Sequence, residues 1–300
     1  MKKILFLSVL TLLNSGCHAS EKIHTGLPSN DKTIKTQAKD SAQFDYSMKI
    51  NGIKSEVSDD FIVKGFSYFV VASNLTEKET QDILDNTIAK AVSCFHNDYF
   101  EKKPDDITTI FLFKDDNTYR YWAKKLYGDD DLSRFGYYKP GKKVMLMNIS
   151  TGTGTLVHEM THALVRYDFP DIPSWFNEGL GSLYERSSLS NNQIIGYVNW
   201  RLPALQKAIY DNSYTPISSL VKTNDDEFYG DRSDVNYAQA RYLCMYLQEN
   251  GLLKKFYKAF RDNYRDDNTG KTTLEKITGK SLSELDNNYI EWVKTLKYEQ

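Results

Sequence analysis

The sequence predicts an α+β fold in which a mixed sheet with helices comes first and a helical half follows. Three observations carry this. Strand-like and helix-like stretches alternate between Phe66 and Ile149, and from Ser150 onward the pattern is helical in character. The composition, 40% hydrophobic and 26% charged over 300 residues, supports one large domain or two packed lobes.

The chain begins with Lys2-Lys3, an apolar run from Ile4 to Leu13, and then small residues. This reads as a secretory signal peptide over 1–19, because the run is too short to span a bilayer permanently. Ser15-Gly16-Cys17 is similar to a lipoprotein box, which would make Cys17 an acylated first residue and a membrane anchor. Ordinary cleavage after Ala19 is the other route. Both lead out of the cytoplasm, to the periplasmic or cell-surface side of the envelope. Residues 20–45, rich in Lys, Thr, Ser, Asp and Gln, read as a flexible tether, and 46–300 as the folded part.

Within the folded part, Phe66–Ser73 has the β-branched and aromatic content of a strand. Thr76 to Asn97 reads as a helix, with Thr76 and Glu79 spaced as a capping box. Ile107–Phe113 is a second strand and Asn117–Tyr127 a second helix. A hairpin turning at Lys139-Pro140-Gly141 leads into a strand over Lys143–Ile149, which can accept an extended peptide by strand addition or, as the alternative, lie buried within the sheet. The lobes divide at 167/168, a sheet lobe with one site-bearing helix before a helical lobe. Cys94 and Cys244, both in apolar helical patterns, read as buried free thiols, with a bridge as the alternative.

The stretch Thr155–Gly181, "TLVHEMTHALVRYDFPDIPSWFNEGLG", carries the chemistry. His158 and His162 stand four apart, so on a helix both imidazoles leave the same face and can meet one metal ion. Glu159, beside the first histidine, can act as general base toward water attacking a carbonyl. Two imidazoles need a third ligand, and the remaining histidines, His18, His24 and His96, lie in the leader, the tether and a distant helix. A carboxylate must therefore serve. Asp168, six residues after His162, is one option, where another zinc-binding pattern places its third ligand, but that pattern needs a glycine where Val165 continues the helix. Glu178 is the other: Pro170 and Pro173 turn the chain, and Ser174 can cap a second helix that aims Glu178 back at the pair. Gly179 and Gly181 follow it, costly inside a helix and therefore suggestive of close packing or a nearby site.

His158-Glu159-x-x-His162 followed by Pro173-x-Trp175-x-x-Glu178-Gly179 resembles the gluzincin metallopeptidases of the peptidase MA-like group. "WFNEGLGSLYE" is also similar to the second-helix motif of zinc aminopeptidases. The resemblance is specific over Val144 to Glu185 and looser across "YAQARYLCMYLQENGLLKKF" and "ITGKSLSELDNNYIEWV". It implies a zincin-like fold, Zn²⁺ held by His158, His162 and Glu178, Glu159 as base, and Tyr237 as oxyanion donor at the start of its helix. Glu185, on the same helical face as Glu178, can accept from a ligand histidine. Ser182 stands where some relatives carry an aspartate.

The expectation is an exported zinc endopeptidase acting on a protein or peptide substrate. The alternatives are a zinc-binding lipoprotein scaffold without turnover, or a zinc amidase acting on the cell wall. A net charge of −2 argues against nucleic acid as a partner.

Overall fold

The computed structural model describes residues 44–299. The expected signal peptide, Cys17 and residues 20–43 of the expected tether lie outside the described residues. The fold is α+β.

Its first part contains α1 (Ser47–Glu56), β1 (Ile62–Phe66), β2 (Phe69–Ser73), α2 (Glu77–Ile83), α3 (Ala89–Asp98), β3 (Thr108–Phe113), α4 (Asp116–Tyr127), β4 (Gly136–Lys139), β5 (Val144–Asn148) and α5 (Gly154–Asp168). The second part begins with α6 (Ser174–Tyr184) and a hairpin of β6 (Ser187–Ser190) and β7 (Gln193–Gly196). It continues with α7 (Leu202–Tyr210), α8 (Ile217–Leu220), α9 (Asp225–Phe228), α10 (Ser233–Glu249), α11 (Leu253–Asn263), α12 (Lys271–Thr278) and α13 (Leu282–Thr295).

The large sheet runs β1-β2-β3-β5-β4, with β2, β3 and β5 parallel and both outer strands antiparallel to their neighbours. The pleat sends successive side chains to opposite faces. Phe69, Val71, Ile110, Leu112, Met145 and Met147 join the core under α5. Val70, Ala72, Phe111, Phe113, Val144 and Leu146 pack with Trp122 and Tyr119 of α4 and Ile53 of α1. Each large apolar side chain fully buried this way contributes about 1.5–3 kcal/mol relative to exposure. Two covered faces explain why these strands are apolar throughout instead of alternating.

Three expectations change. Phe66–Ser73 is not one strand: Phe66 ends β1, Ser67 turns the chain at φ 52°, and β2 starts at Phe69. The helical half is interrupted by the β6–β7 hairpin, whose turn residues Asn191 and Asn192 both have positive φ, as a two-residue hairpin loop requires. The strand expected to accept a peptide, β5, already pairs with β3 and β4, so it has no free edge. The helix expected over Thr76–Asn97 starts at its Thr76/Glu79 capping box and runs through α2, a π-helical turn at Leu84–Ile88 and α3, and the other expected elements match within a residue or two. Cys94 and Cys244 are buried free thiols.

Candidate metal centre

Helix α5 forms because Leu156, Val157, Met160, Ala163 and Leu164 repeat at helical spacing and bury against the sheet. The register that buries them turns His158 and His162 toward α6, with ring centroids 4.6 Å apart. Phe169 to Pro173 reverses the chain, and α6 starts with the N–H groups of Phe176 and Asn177 on the Pro173 carbonyl. Ser174 does not cap this helix. It is the first helical residue, and its hydroxyl bonds Asp225.

The reversal brings Glu178 onto the histidine pair. Its Oε2 lies 3.3 Å from His158 Nε2 and 3.4 Å from His162 Nε2. All three groups offer ligand atoms within 4.8 Å of one another. Around a tetrahedral zinc with bonds of about 2.0–2.1 Å, neighbouring donors lie roughly 3.3–3.4 Å apart. A charge-assisted hydrogen bond would be about 2.7–2.9 Å, clearly shorter.

The outer ring nitrogens are engaged as well. His158 Nδ1 is 3.2 Å from Glu185 Oε1, and His162 Nδ1 is 2.9 Å from Asn177 Oδ1. Each acceptor favours a hydrogen on Nδ1, so in the neutral ring, the form that binds a metal, each Nε2 turns its lone pair toward Glu178. Glu178 is 1% exposed, and its Oε2 has no hydrogen-bond partner. A buried carboxylate oxygen at this place is costly without positive charge beside it, on the rings or on a metal ion among them. The donor set of two imidazoles and one carboxylate fits a divalent metal, and these residues can hold one.

The electrostatics agree. Burial disfavours the charged form of His158, but the carboxylates of Glu178, Glu185 and Glu159 outweigh it and raise its pKa to about 10. His162 is raised in the same way, its burial overcome chiefly by Glu178. Burial would raise Glu178, yet the two histidines hold it far below the usual carboxylate range. Glu185 is held at about 2, its burial overcome by the charge of Arg201 and by His158. Without a metal the two rings are thus drawn to the protonated form, and a metal ion held by the neutral rings would supply the same positive charge in their place.

Glu159 is half-buried beside His158 and makes no hydrogen bond or ion pair among the described residues; its pKa is raised, first by burial. Tyr237 is half-buried, its ring 5.3 Å from the Arg201 guanidinium carbon and 6.2 Å from the Tyr229 ring. Burial, then the charge of Glu178, raises its pKa well above the ordinary value. Asp168 lies elsewhere. It accepts from the Glu101 and Lys102 N–H groups, Tyr257 and Arg261, and so anchors the end of α5. His96 is likewise remote, on the Phe100 carbonyl.

Three contacts were not foreseen. Asn177 orients His162, Tyr229 donates to Glu178 Oε1 at 2.8 Å, and Arg201 holds Glu185 at 3.1 Å. Asn177 had a signal, an amide directly before Glu178. Tyr229 and Arg201 had none, since only tertiary packing brings them in.

No protein-family model matches the chain, and no curated protein matches it significantly.

Proposed function

We propose that this protein is a zinc-dependent hydrolase of the gluzincin type, most simply an endopeptidase. The observation that carries the reading is Glu178 Oε2, buried and unpartnered between two histidine nitrogens at 3.3 and 3.4 Å. His158, His162 and Glu178 would hold the metal. Zinc bound there would supply a Lewis acid that polarises a carbonyl and lowers the pKa of water.

The chain's own residues supply the rest. Glu159, uncommitted to other described groups, takes a proton from the attacking water and delivers it to the leaving amine nitrogen as the C–N bond breaks. Glu185 and Asn177 keep both imidazoles in one tautomer and orientation. Tyr237, on the helical side of the site, donates its hydroxyl hydrogen to the oxyanion. Export and a lipid anchor on Cys17 complete the proposal and place the substrate in the cell envelope.

The test compares wild type with Glu159→Gln on casein and on purified peptidoglycan, measuring zinc in both proteins. The reading expects casein cleavage by wild type, zinc retained in the variant, and a rate loss of about 10²–10⁴-fold. Cleavage of peptidoglycan alone would make the protein a cell-wall amidase. Zinc retained with no activity on either substrate would favour the scaffold.

A further inference from the structure

The two oxygens of Glu178 are treated differently. Oε2 faces the histidines, whereas Oε1 accepts the hydroxyl hydrogen of Tyr229 at 2.8 Å. Glu178 is one helical turn after Ser174, whose hydroxyl bonds Asp225, and Tyr229 stands at the same offset after Asp225. Two parallel rungs therefore tie the first turns of α6 to α9.

The backbone leading into Tyr229 is held as well. Asn236 of α10 donates to the carbonyls of Glu227 and Phe228 at 3.2 and 3.0 Å. The Phe228 ring is fully buried, and Asn224 and Glu227 close a capping box on α9. The Tyr229 hydroxyl is thus placed by the fold, with little freedom to leave Oε1.

We propose that Tyr229 is a positioning residue that keeps Glu178 a one-oxygen ligand, so that the metal retains an open position for water and substrate. This rests on the reading that His158, His162 and Glu178 bind a metal. A carboxylate free at both oxygens can chelate, and chelation by Glu178 would fill the position catalysis needs. By donating to Oε1 from a fixed place, Tyr229 would hold the carboxylate turned so that Oε1 stays off the ion.

Cobalt(II) reads this directly, because four-coordinate cobalt absorbs visible light severalfold more strongly than five-coordinate cobalt. Purified full-length wild type and Tyr229→Phe are loaded with cobalt, with Tyr237→Phe as control. The expected result is an intense four-coordinate spectrum for wild type and the control. Tyr229→Phe should give a severalfold weaker, five-coordinate spectrum at equal cobalt content. A merely structural role would instead lower metal affinity about 10–100-fold and leave the spectrum of the loaded protein unchanged. An unchanged spectrum overturns the proposal, as does a five-coordinate spectrum in wild type.

Should Tyr229→Phe fail to fold, X-ray absorption on zinc-loaded wild type decides alone. One Glu178 oxygen in the coordination shell supports the lock, and two overturn it. If wild type takes up no cobalt or zinc, the metal-site reading itself fails, and that outcome is distinct from the others.

Discussion

Glu185 Oε1 sits 3.2 Å from Nδ1 of His158 and 3.1 Å from Nη2 of Arg201, so a single oxygen links a candidate metal ligand to a guanidinium. Asn199 adds an amide donor to the other oxygen at 3.3 Å. The carboxylate thus fixes the orientation of the His158 ring and makes it a better donor. Glu185→Gln keeps the shape and removes the charge. Zinc affinity, measured by competition with a chelating dye, should fall about 10–100-fold. An affinity equal to wild type would show that the contact is incidental.

The two glycines of α6 make a second, separable prediction. A Cβ on Gly181 would lie 2.9 Å from His158 Nε2 and 3.0 Å from its Cδ2, so the imidazole must leave its place. A Cβ on Gly179 would meet the Ala240 carbonyl oxygen and Cys244 Sγ, both at 2.8 Å, where α6 packs on α10. Gly181→Ala should therefore weaken zinc binding by at least about tenfold while the protein stays folded. Gly179→Ala should lower unfolding stability by about 1–3 kcal/mol and leave zinc affinity nearly unchanged. Denaturant unfolding beside zinc titration separates the two, and equal effects from both variants would refute the assignment.

Asp168 gives a pH-dependent prediction away from the site. Burial pushes its carboxyl up, but the Lys102 N–H, Arg261, Tyr257 and the Glu101 N–H together hold it below the ordinary 3.8. A folded-state pKa below the unfolded one stabilises the protein above the unfolded value. That stability is lost as pH falls through the folded value. Asp168→Asn turns an amide N–H₂ toward Arg261 or Tyr257. It should cost about 3 kcal/mol at pH 7, the low end for a broken buried pair, because Arg261 keeps Glu101 and Asp262. The gap between wild type and variant, from urea unfolding, should narrow below about pH 4. A gap that is constant with pH would contradict this origin.

What the sequence made legible follows from range. His158 and His162 are four apart on one helix, and Glu178 is reached across a short proline-bounded turn, so local rules place all three. The α2 start was equally local, since Thr76 and Glu79 signal it within a single turn. Tyr229 and Glu178 are 51 residues apart in sequence, and Arg201 and Glu185 are 16 apart, with no periodic pattern linking either pair. Such contacts arise only once α9 and α7 have packed. The β6–β7 hairpin is a different case. Asn191-Asn192 between "SSLS" and "QIIG" is a two-residue turn signal, outweighed by the helical patterns on either side.

Zinc content tests the central claim most directly. Full-length wild type and Glu178→Ala are dialysed against limiting zinc and assayed for bound metal per chain. One zinc per wild-type chain with clear loss in the variant is the expected result, since the alanine leaves two imidazoles alone. Equal retention in both would remove Glu178 from the site, and no zinc in either would end the hydrolase reading.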